Sequence, residues 1–407
     1  MLAPATIEII KSTVPVLEKH GTAITKRFYE LLFDNHPELL NVFNHANQKQ
    51  GRQQAALAGA VYAAAQHIDN LEAILPVVRQ IGHKHRSLGI KAEQYPIVGR
   101  NLLAAIQDVL GDAATEDVIR AWGEAYGVIA DAFIGVEADM YEQAEKQEGG
   151  WAGFRAFRVE RKVRESEEIA SFYLVPADGK PIASYAPGQY VSVKAEIPGE
   201  PNVHIRQYSL SGAPGKPYYR ISVKREDAAA DRPAGKVSVY LHETVGEGDV
   251  LPLSAPAGSF TLDEGDRRPV VLISGGVGVT PLAAMLHALA ERNDPNRPVA
   301  FIHAARNGDV HALRKEVEEL ASGRSAIRAY WCYEKPTERD RAAGAFHQEG
   351  YIDLNWLRRI VPTKDAGFYF CGPIPFMKAI NRALLEWGVA PADIHYEFFG
   401  PSGRLDD

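Results

Sequence analysis

Two histidines, His83 and His85, stand close together in the stretch Ile81-Gly82-His83-Lys84-His85-Arg86-Ser87-Leu88, and helical spacing treats them differently. Leu75, Val78, Ile81, His85 and Leu88 recur at steps of three and four, so a helix here carries His85 on its apolar stripe. His83 falls with Arg79, Gln80, Arg86 and Ser87 on the polar side. A neutral imidazole in apolar surroundings is a natural metal ligand, and on an all-helical scaffold a single axial histidine can hold haem iron. The plainer reading, a core histidine with its hydrogen bonds satisfied, stays open at this point.

Other polar side chains fall on apolar helical faces in the same part of the chain. Tyr29 shares a face with Leu32 and Phe33, and Gln53 shares one with Leu57 and Val61, so a phenol and an amide can both reach an apolar cavity. Glu137 falls on the stripe Trp122, Tyr126, Ile129, Phe133 and Met140, where a buried carboxylate needs a partner. Carboxylates behind a ligating histidine orient it and raise its basicity, and Tyr95 can complete a His85-Tyr95-Glu137 network.

A different chemistry appears further along. In Arg206-Gln207-Tyr208-Ser209-Leu210-Ser211, strand alternation puts Arg206 and Tyr208 on one face. There a guanidinium can pair a pyrophosphate and a ring can lie against a planar cofactor. Gly235-Lys236-Val237-Ser238 precedes a helix predicted over Val239 to Thr244, whose free N–H groups and positive dipole end favour phosphate. Gly275-Gly276-Val277-Gly278-Val279-Thr280-Pro281 follows a buried strand and leads into a helix predicted over Leu282 to Arg292. This is the context of a nucleotide loop, although not a G-x-G-x-x-G fingerprint. Its counterpart, Phe370-Cys371-Gly372-Pro373, follows another buried strand. Arg306 is placed to meet a ribose 2'-phosphate, while nearby Asp309 leaves NADH open.

The elements that must position these residues change character along the chain. From Ala5 to about Lys146 the apolar residues keep helical spacing, with a break expected in the polar run 44–50. After Glu145-Lys146-Gln147-Glu148-Gly149-Gly150 come short strands at Arg155 to Val163, Ile169 to Val175, Gln189 to Val193 and Tyr219 to Val223. With turns rich in Pro and Gly, these read as a small antiparallel barrel ending near Leu262. From Pro269, strands at Val270 to Ser274, Val299 to His303, Ala329 to Tyr333 and Gly367 to Cys371 alternate with helices near Val310 to Ala321 and Phe376 to Glu386. That pattern predicts an open parallel sheet. The fold class is therefore multidomain, α + β + α/β, with domains expected at 1–147, 151–262 and 267–407 in a chain of 407 residues.

A formal net charge of −7 without a dense basic cluster argues against nucleic acid and against an anionic membrane surface. No apolar run is long enough to span a bilayer and the start lacks a secretory pattern, so a cytoplasmic protein is expected. Cys332 and Cys371 are too few for a disulfide framework or a cysteine metal cluster.

Together with Pro187-Gly188-Gln189-Tyr190, the Arg-x-Tyr-Ser strand and the loop 235–238 resemble the flavin barrel of the ferredoxin-NADP reductase superfamily. The resemblance implies FAD, with Arg206 at the pyrophosphate, Gln207 beside it in the motif, Tyr208 and Ser209 at the isoalloxazine, and Tyr190 at the flavin or its ribose. Gly235, Lys236, Val237 and Ser238 would be the phosphate loop. The glycine loop and the Cys371-Gly372-Pro373 turn resemble the pyridine-nucleotide domain of that superfamily, which places Cys371 beside the nicotinamide as a contact rather than a nucleophile. Glu397-Phe398-Phe399-Gly400 is similar to its terminal aromatic segment, and Phe399 would shield the flavin.

The helical part resembles a globin, with Phe43 wedged on the haem, Tyr29 and Gln53 distal, Leu57 restricting the distal space and His85 proximal. It departs from oxygen-storage globins in lacking a distal histidine. The order globin, flavin barrel, nicotinamide sheet is similar to that of the flavohaemoglobins along nearly the entire chain. That implies haem b, FAD and NAD(P)H as cofactors, O2 and NO as small-molecule partners, and a monomer. The implied reaction passes electrons from NAD(P)H through FAD to haem and oxidises NO to nitrate with O2. A haem-based O2 or NO sensor with a maintenance reductase, or a flavin reductase acting on hydroperoxides, is the alternative. Nicotinamide preference and lipid in the distal pocket are left open.

Overall fold

The structure, a computed structural model, describes residues 2–43, 48, 51–229, 233–400 and 405. Apart from Gln48, the expected break at 44–50 lies outside the described residues. By contact density the chain divides into two units, 1–154 with 194–206 and 400–402, and the remainder.

The first unit is built from helices α1 (Pro4–Ser12), α2 (Val14–Asn35), α3 (Arg52–Gln66), α4 (Leu75–Leu88), α5 (Tyr95–Leu110) and α6 (Glu116–Lys146). Their ends follow from local chemistry. Pro76 opens α4, and Gly89 closes it with φ +81°, a left-handed conformation that a side chain resists. Thr115 caps α6 by accepting from the Val118 amide at 3.4 Å, with Glu116 and Asp117 in the first turn complementing the helix dipole. Ile10, Ile24, Phe28, Leu32, Ile106 and Trp122 lie at the centre of the core.

Helix α4 does not bury the stripe expected of it. Val78, Gly82 and Arg86, one i+4 row, are buried together with Ser87, whereas Ile81, His85 and Leu88 are half-buried. The cause is close packing on α6: a Cβ at Gly82 would stand 3.3 Å from the Met140 sulfur and 3.6 Å from Glu137 Cγ. Arg86 and Ser87 are therefore not on a solvated face, and His83 is partly desolvated, which lowers its pKa.

Strands β1 (Phe154–Arg164), β2 (Ile169–Pro176), β3 (Tyr190–Ala195), β4 (His204–Ser209), β5 (Tyr219–Lys224) and β6 (Val250–Ser254) form a sheet of order β4-β3-β6-β1-β2-β5. A bridge between Leu210 and Ile221 joins its two edges, so the sheet is a nearly closed barrel. β6 carries no clear alternation and escaped sequence reading. Helix α7 spans Lys236–Glu243, three residues ahead of the expected start, so Gly235 is its N-cap and Lys236–Ser238 its first turn rather than a preceding loop.

The second sheet contains β7 (Val270–Gly275), β8 (Val299–Ala305), β9 (Ile327–Tyr333), β10 (Gln348–Glu349), β11 (Gly367–Cys371) and β12 (Ile394–Glu397), in the order β10-β9-β8-β7-β11-β12. All neighbours are parallel. β7 is buried throughout, as its unbroken apolar run requires. Helices α8 (Val279–Arg292) and α9 (Arg314–Ala321) cover one face, and α11 (Leu354–Ile360) and α12 (Ile374–Trp387) the other, with α10 (Glu338–Ala342) near β10. α8 begins at Val279, three residues before its expected start, and the helix expected from Val310 begins at Arg314 after a short turn. The short strands β10 and β12 lie at the sheet edges, where a weak apolar pattern suffices.

Candidate functional site

In the helical unit, α4, α5 and α6 converge on one carboxylate. His85 Nδ1 lies 2.7 Å from Glu137 Oε1, and the Tyr95 hydroxyl donates to the same oxygen at 2.7 Å. His85 Nδ1 and the Tyr95 hydroxyl are 3.2 Å apart. Glu137 is only 3% exposed, so both bonds satisfy a carboxylate that burial would otherwise penalise. Burial first, and Glu137 second, hold the Tyr95 hydroxyl far above its ordinary range, so it remains a donor. The Tyr126 hydroxyl donates to the Tyr95 carbonyl at 2.7 Å, and a Cβ at Gly99 would stand 2.6 Å from the Tyr126 ring. Helical spacing put Tyr126 and Phe133 on the stripe of Glu137 but gave no signal for that brace, nor for the approach of the Phe133 ring to 6.0 Å from that of His85.

With Nδ1 engaged by the carboxylate, the imidazole proton is drawn to Nδ1 and the lone pair to Nε2. No partner meets Nε2 among the described residues, and the side chain is 32% exposed. The described residues contain no group of three or more His, Cys, Asp or Glu able to hold a bare metal ion. One imidazole with a free Nε2 therefore fits an iron already chelated by a macrocycle, and the donor set suits haem.

On α2, Tyr29 sits among aromatic rings: Phe28 at 4.8 Å, Phe43 at 5.7 Å and Phe33 at 5.8 Å. Burial raises its pKa well above the usual value, against smaller opposing contributions from hydrogen bonds with Gln53 and Gln48. Gln53 and Leu57 lie half-buried on α3. Gln48 is a polar neighbour that sequence reasoning missed, since its flanking residues follow no clear stripe.

In the barrel, Arg206 Nη1 donates to the carbonyl of Ile205 at 2.8 Å, Gln207 and Tyr208 are half-buried, and Ser209 is buried. Tyr190 pairs with Ala257 by two main-chain bonds of 2.8 and 2.9 Å. Its ring lies against Gly258, where a Cβ would approach to 2.9 Å. At the start of α7 the Ser238 hydroxyl donates to the Gly235 carbonyl at 3.0 Å, and a Cβ on Gly235 would meet that hydroxyl at 2.7 Å. An eight-residue helix with a glycine cap suits a phosphate at its first turn.

The two glycine-bearing turns of the sheet come together. Ser274 pairs in register with Cys371, so the loops that follow β7 and β11 touch. A Cβ on Gly278 would stand 2.1 Å from the Cys371 carbonyl oxygen, and one on Gly372 would stand 2.6 Å from the Phe376 ring. Val277, Val279, Thr280 and Pro281 carry the chain from the turn Gly276–Gly278 into α8, and Pro373 caps α12. Cys371 is fully buried, its thiol donating to the Glu397 carbonyl at 3.4 Å, and burial raises its pKa so that it stays protonated. Arg306, largely exposed, donates to Glu168 Oε1 at 2.6 Å. Phe399 is 46% exposed just beyond β12.

Three family models match the chain: Globin over residues 26–133, Oxidoreductase FAD-binding domain over 156–262 and Oxidoreductase NAD-binding domain over 272–382. A Flavohemoprotein of Bacillus thuringiensis subsp. konkukian is 60% identical over 405 residues, covering 100% of both chains. The chain belongs to the flavohemoproteins. Among solved structures, a flavohemoglobin from Malassezia yamatoensis with bound FAD and heme superposes with a TM-score of 0.85 at 29% identity, covering 98% of this chain and 100% of that one. The Flavohem-like-FAD/NAD binding domain of nitric oxide dioxygenase from Vibrio cholerae is 42% identical, with a TM-score of 0.55, over 61% of this chain and 99% of its own. This flavohemoprotein thus combines a globin domain, an FAD-binding barrel and an NAD-binding parallel sheet. No helix among the described residues is long and apolar enough to cross a membrane.

Proposed function

We propose that this flavohemoprotein is an NAD(P)H-dependent nitric oxide dioxygenase whose globin, flavin and nucleotide domains span 1–147, 151–262 and 267–407. The observation that carries the reading is the imidazole of His85, tied through Nδ1 to a buried carboxylate and left with Nε2 free, in a chain that also contains a complete reductase. When bound, the nicotinamide would supply a hydride, FAD would divide it into single electrons, and haem iron would supply the O2 and NO chemistry.

The chain's residues would act as follows. His85 would hold the haem iron through Nε2. Glu137, accepting from both Nδ1–H and the Tyr95 hydroxyl, fixes the tautomer and pushes electron density through the ring, which favours oxygen activation over reversible storage. Tyr29 keeps its proton and would hydrogen-bond a small molecule held at the haem, with Gln53 in support and Leu57 limiting space. Phe43 and its ring neighbours exclude water around the phenol. Arg206 and the first turn of α7 hold the flavin's phosphates, Tyr190, Tyr208 and Ser209 orient its ring, and the joined turns at 275–281 and 371–373 receive the nicotinamide. Arg306 meets the ribose end of the nucleotide, and Phe399 covers the flavin.

The purified protein should show haem Soret and flavin absorption bands together. Supplied with NADH or NADPH, it should consume NO only when O2 is present and form nitrate. Absence of nitrate would sink the assignment.

A further inference from the structure

Most of the barrel and the parallel sheet belong to one unit, and a partly buried ion pair joins them. Arg220, on β5, is 3% exposed, and its guanidinium grips Glu316, on α9, with two parallel bonds: Nη1 to Oε2 at 2.5 Å and Nη2 to Oε1 at 2.7 Å. Its remaining N–H groups reach the Ser211 hydroxyl at 3.1 Å, the Ser211 carbonyl at 2.5 Å and the Tyr173 hydroxyl at 3.4 Å. Every donor of the fork is therefore used. On the far side, His287 Nε2 lies 2.6 Å from Glu316 Oε1.

The places these groups come from give the cluster its meaning. Ser211 is two residues past Ser209, at the end of the strand with the Arg-x-Tyr-Ser motif. His287 is on α8, the helix opened by the Gly276–Gly278 turn. Glu316 lies in the first turn of α9, whose N-cap is Leu313, a buried leucine held at φ +59°. A left-handed leucine is costly and persists only where its surroundings over-determine it. Here the preceding His311 is stacked on His303 at 4.5 Å, and its Nδ1 lies 2.8 Å from the Tyr333 hydroxyl. Glu316 is thus presented to the barrel from a rigid base. A second, more exposed seam runs beside it, with Arg306 on Glu168 and the Glu167 amide donating to the Asp309 carbonyl at 3.0 Å.

We propose that Arg220, Glu316 and His287 are positioning residues for hydride transfer, locking the end of the flavin strand to the nucleotide helix so that the two reacting rings meet at a set distance and angle. The inference rests on the reductase part of the proposed function. Hydride transfer is sensitive to placement, and an offset near 1 Å costs about 10²-fold in rate. A two-bond fork anchored on a buried guanidinium resists such an offset better than exposed pairs do.

The test is anaerobic stopped-flow reduction of the flavin by NADH in the full-length holoprotein and in Glu316→Gln, Glu316→Ala and Arg220→Lys variants. Concentration dependence separates the limiting rate from nucleotide affinity. The limiting rate should fall about tenfold for Glu316→Gln and about 10²-fold for Glu316→Ala, with flavin occupancy and NADH affinity kept. If Glu316→Ala does not fold, the Gln and Lys variants carry the test. Unchanged limiting rates, or a loss that only tracks lost flavin, would overturn the proposal. Failure of NADH and NADPH to reduce the flavin of the unaltered protein would instead overturn the reductase reading itself.

Discussion

The helical unit and the sheet unit build their candidate sites from opposite materials. Around His85 the working groups are side chains delivered by three helices, and the glycines nearby only let those helices approach, as Gly82 does beneath Met140 and Gly99 beneath Tyr126. At the turns after β7 and β11 the main chain itself is presented, and glycine is required at 275, 278 and 372 because a Cβ there would strike the facing backbone or ring. Helices exhaust their own backbone hydrogen bonds, so a helical site must rely on side chains, whereas strand ends and helix starts leave N–H groups free. Removing atoms should therefore harm the first site, and adding atoms the second.

The largest effect expected from removal is His85→Ala, which should abolish normal haem ligation while NAD(P)H still reduces the flavin. An unchanged haem content with a native-like spectrum would break the contrast. The matching addition is Gly278→Ala. Its Cβ would stand 2.1 Å from the Cys371 carbonyl oxygen, so it should cost about 3 kcal/mol or more and stop flavin reduction with haem binding retained. Urea unfolding and stopped-flow absorbance check both halves.

The sheet unit should also lose stability in acid. Burial pushes the Glu316 carboxyl up, but its bonds to Arg220 and His287 prevail and hold it at about 2, below the ordinary 4.5. A depressed folded-state value contributes stability that is complete above about pH 4.5 and lost as pH falls towards 2. The amount is on the order of 3 kcal/mol, and Glu316→Gln should flatten that part of the pH-stability curve, read by denaturant midpoints. Glu137→Gln keeps an acceptor for Tyr95 and His85 but removes the charge, and should weaken haem retention or turnover by about 10–100-fold. The smallest expected change is for Tyr29→Phe, where the loss of one hydrogen bond to the distal ligand should speed O2 dissociation by about tenfold. An unchanged rate by flash photolysis would remove Tyr29 from that role.

Much of this was legible in residue order. Helical spacing from Ala5 to Lys146, alternation in the barrel strands and the unbroken apolar run into Gly275 each report a local property, the face or faces an element must bury. Such periodicity also placed Glu137 on an inward-facing stripe, and motif order along the chain carried the family resemblance.

Periodicity cannot say which neighbour an element will meet. On α4 the buried row runs through Val78, Gly82 and Arg86, because Gly82 lets α6 come close, and neither Gly nor Arg registers as apolar in a sequence. Tertiary packing alone decided that Glu137 would accept from His85 across 52 positions, that the turns at 275–278 and 371–373 would touch, and that Arg220 would find Glu316 across 96. Residue order determined what each element could bury and which chemistry it carried. Folding decided which of those groups would share a proton, a charge or a few ångströms of space, because those contacts are long-range and depend on the shapes of both partners at once.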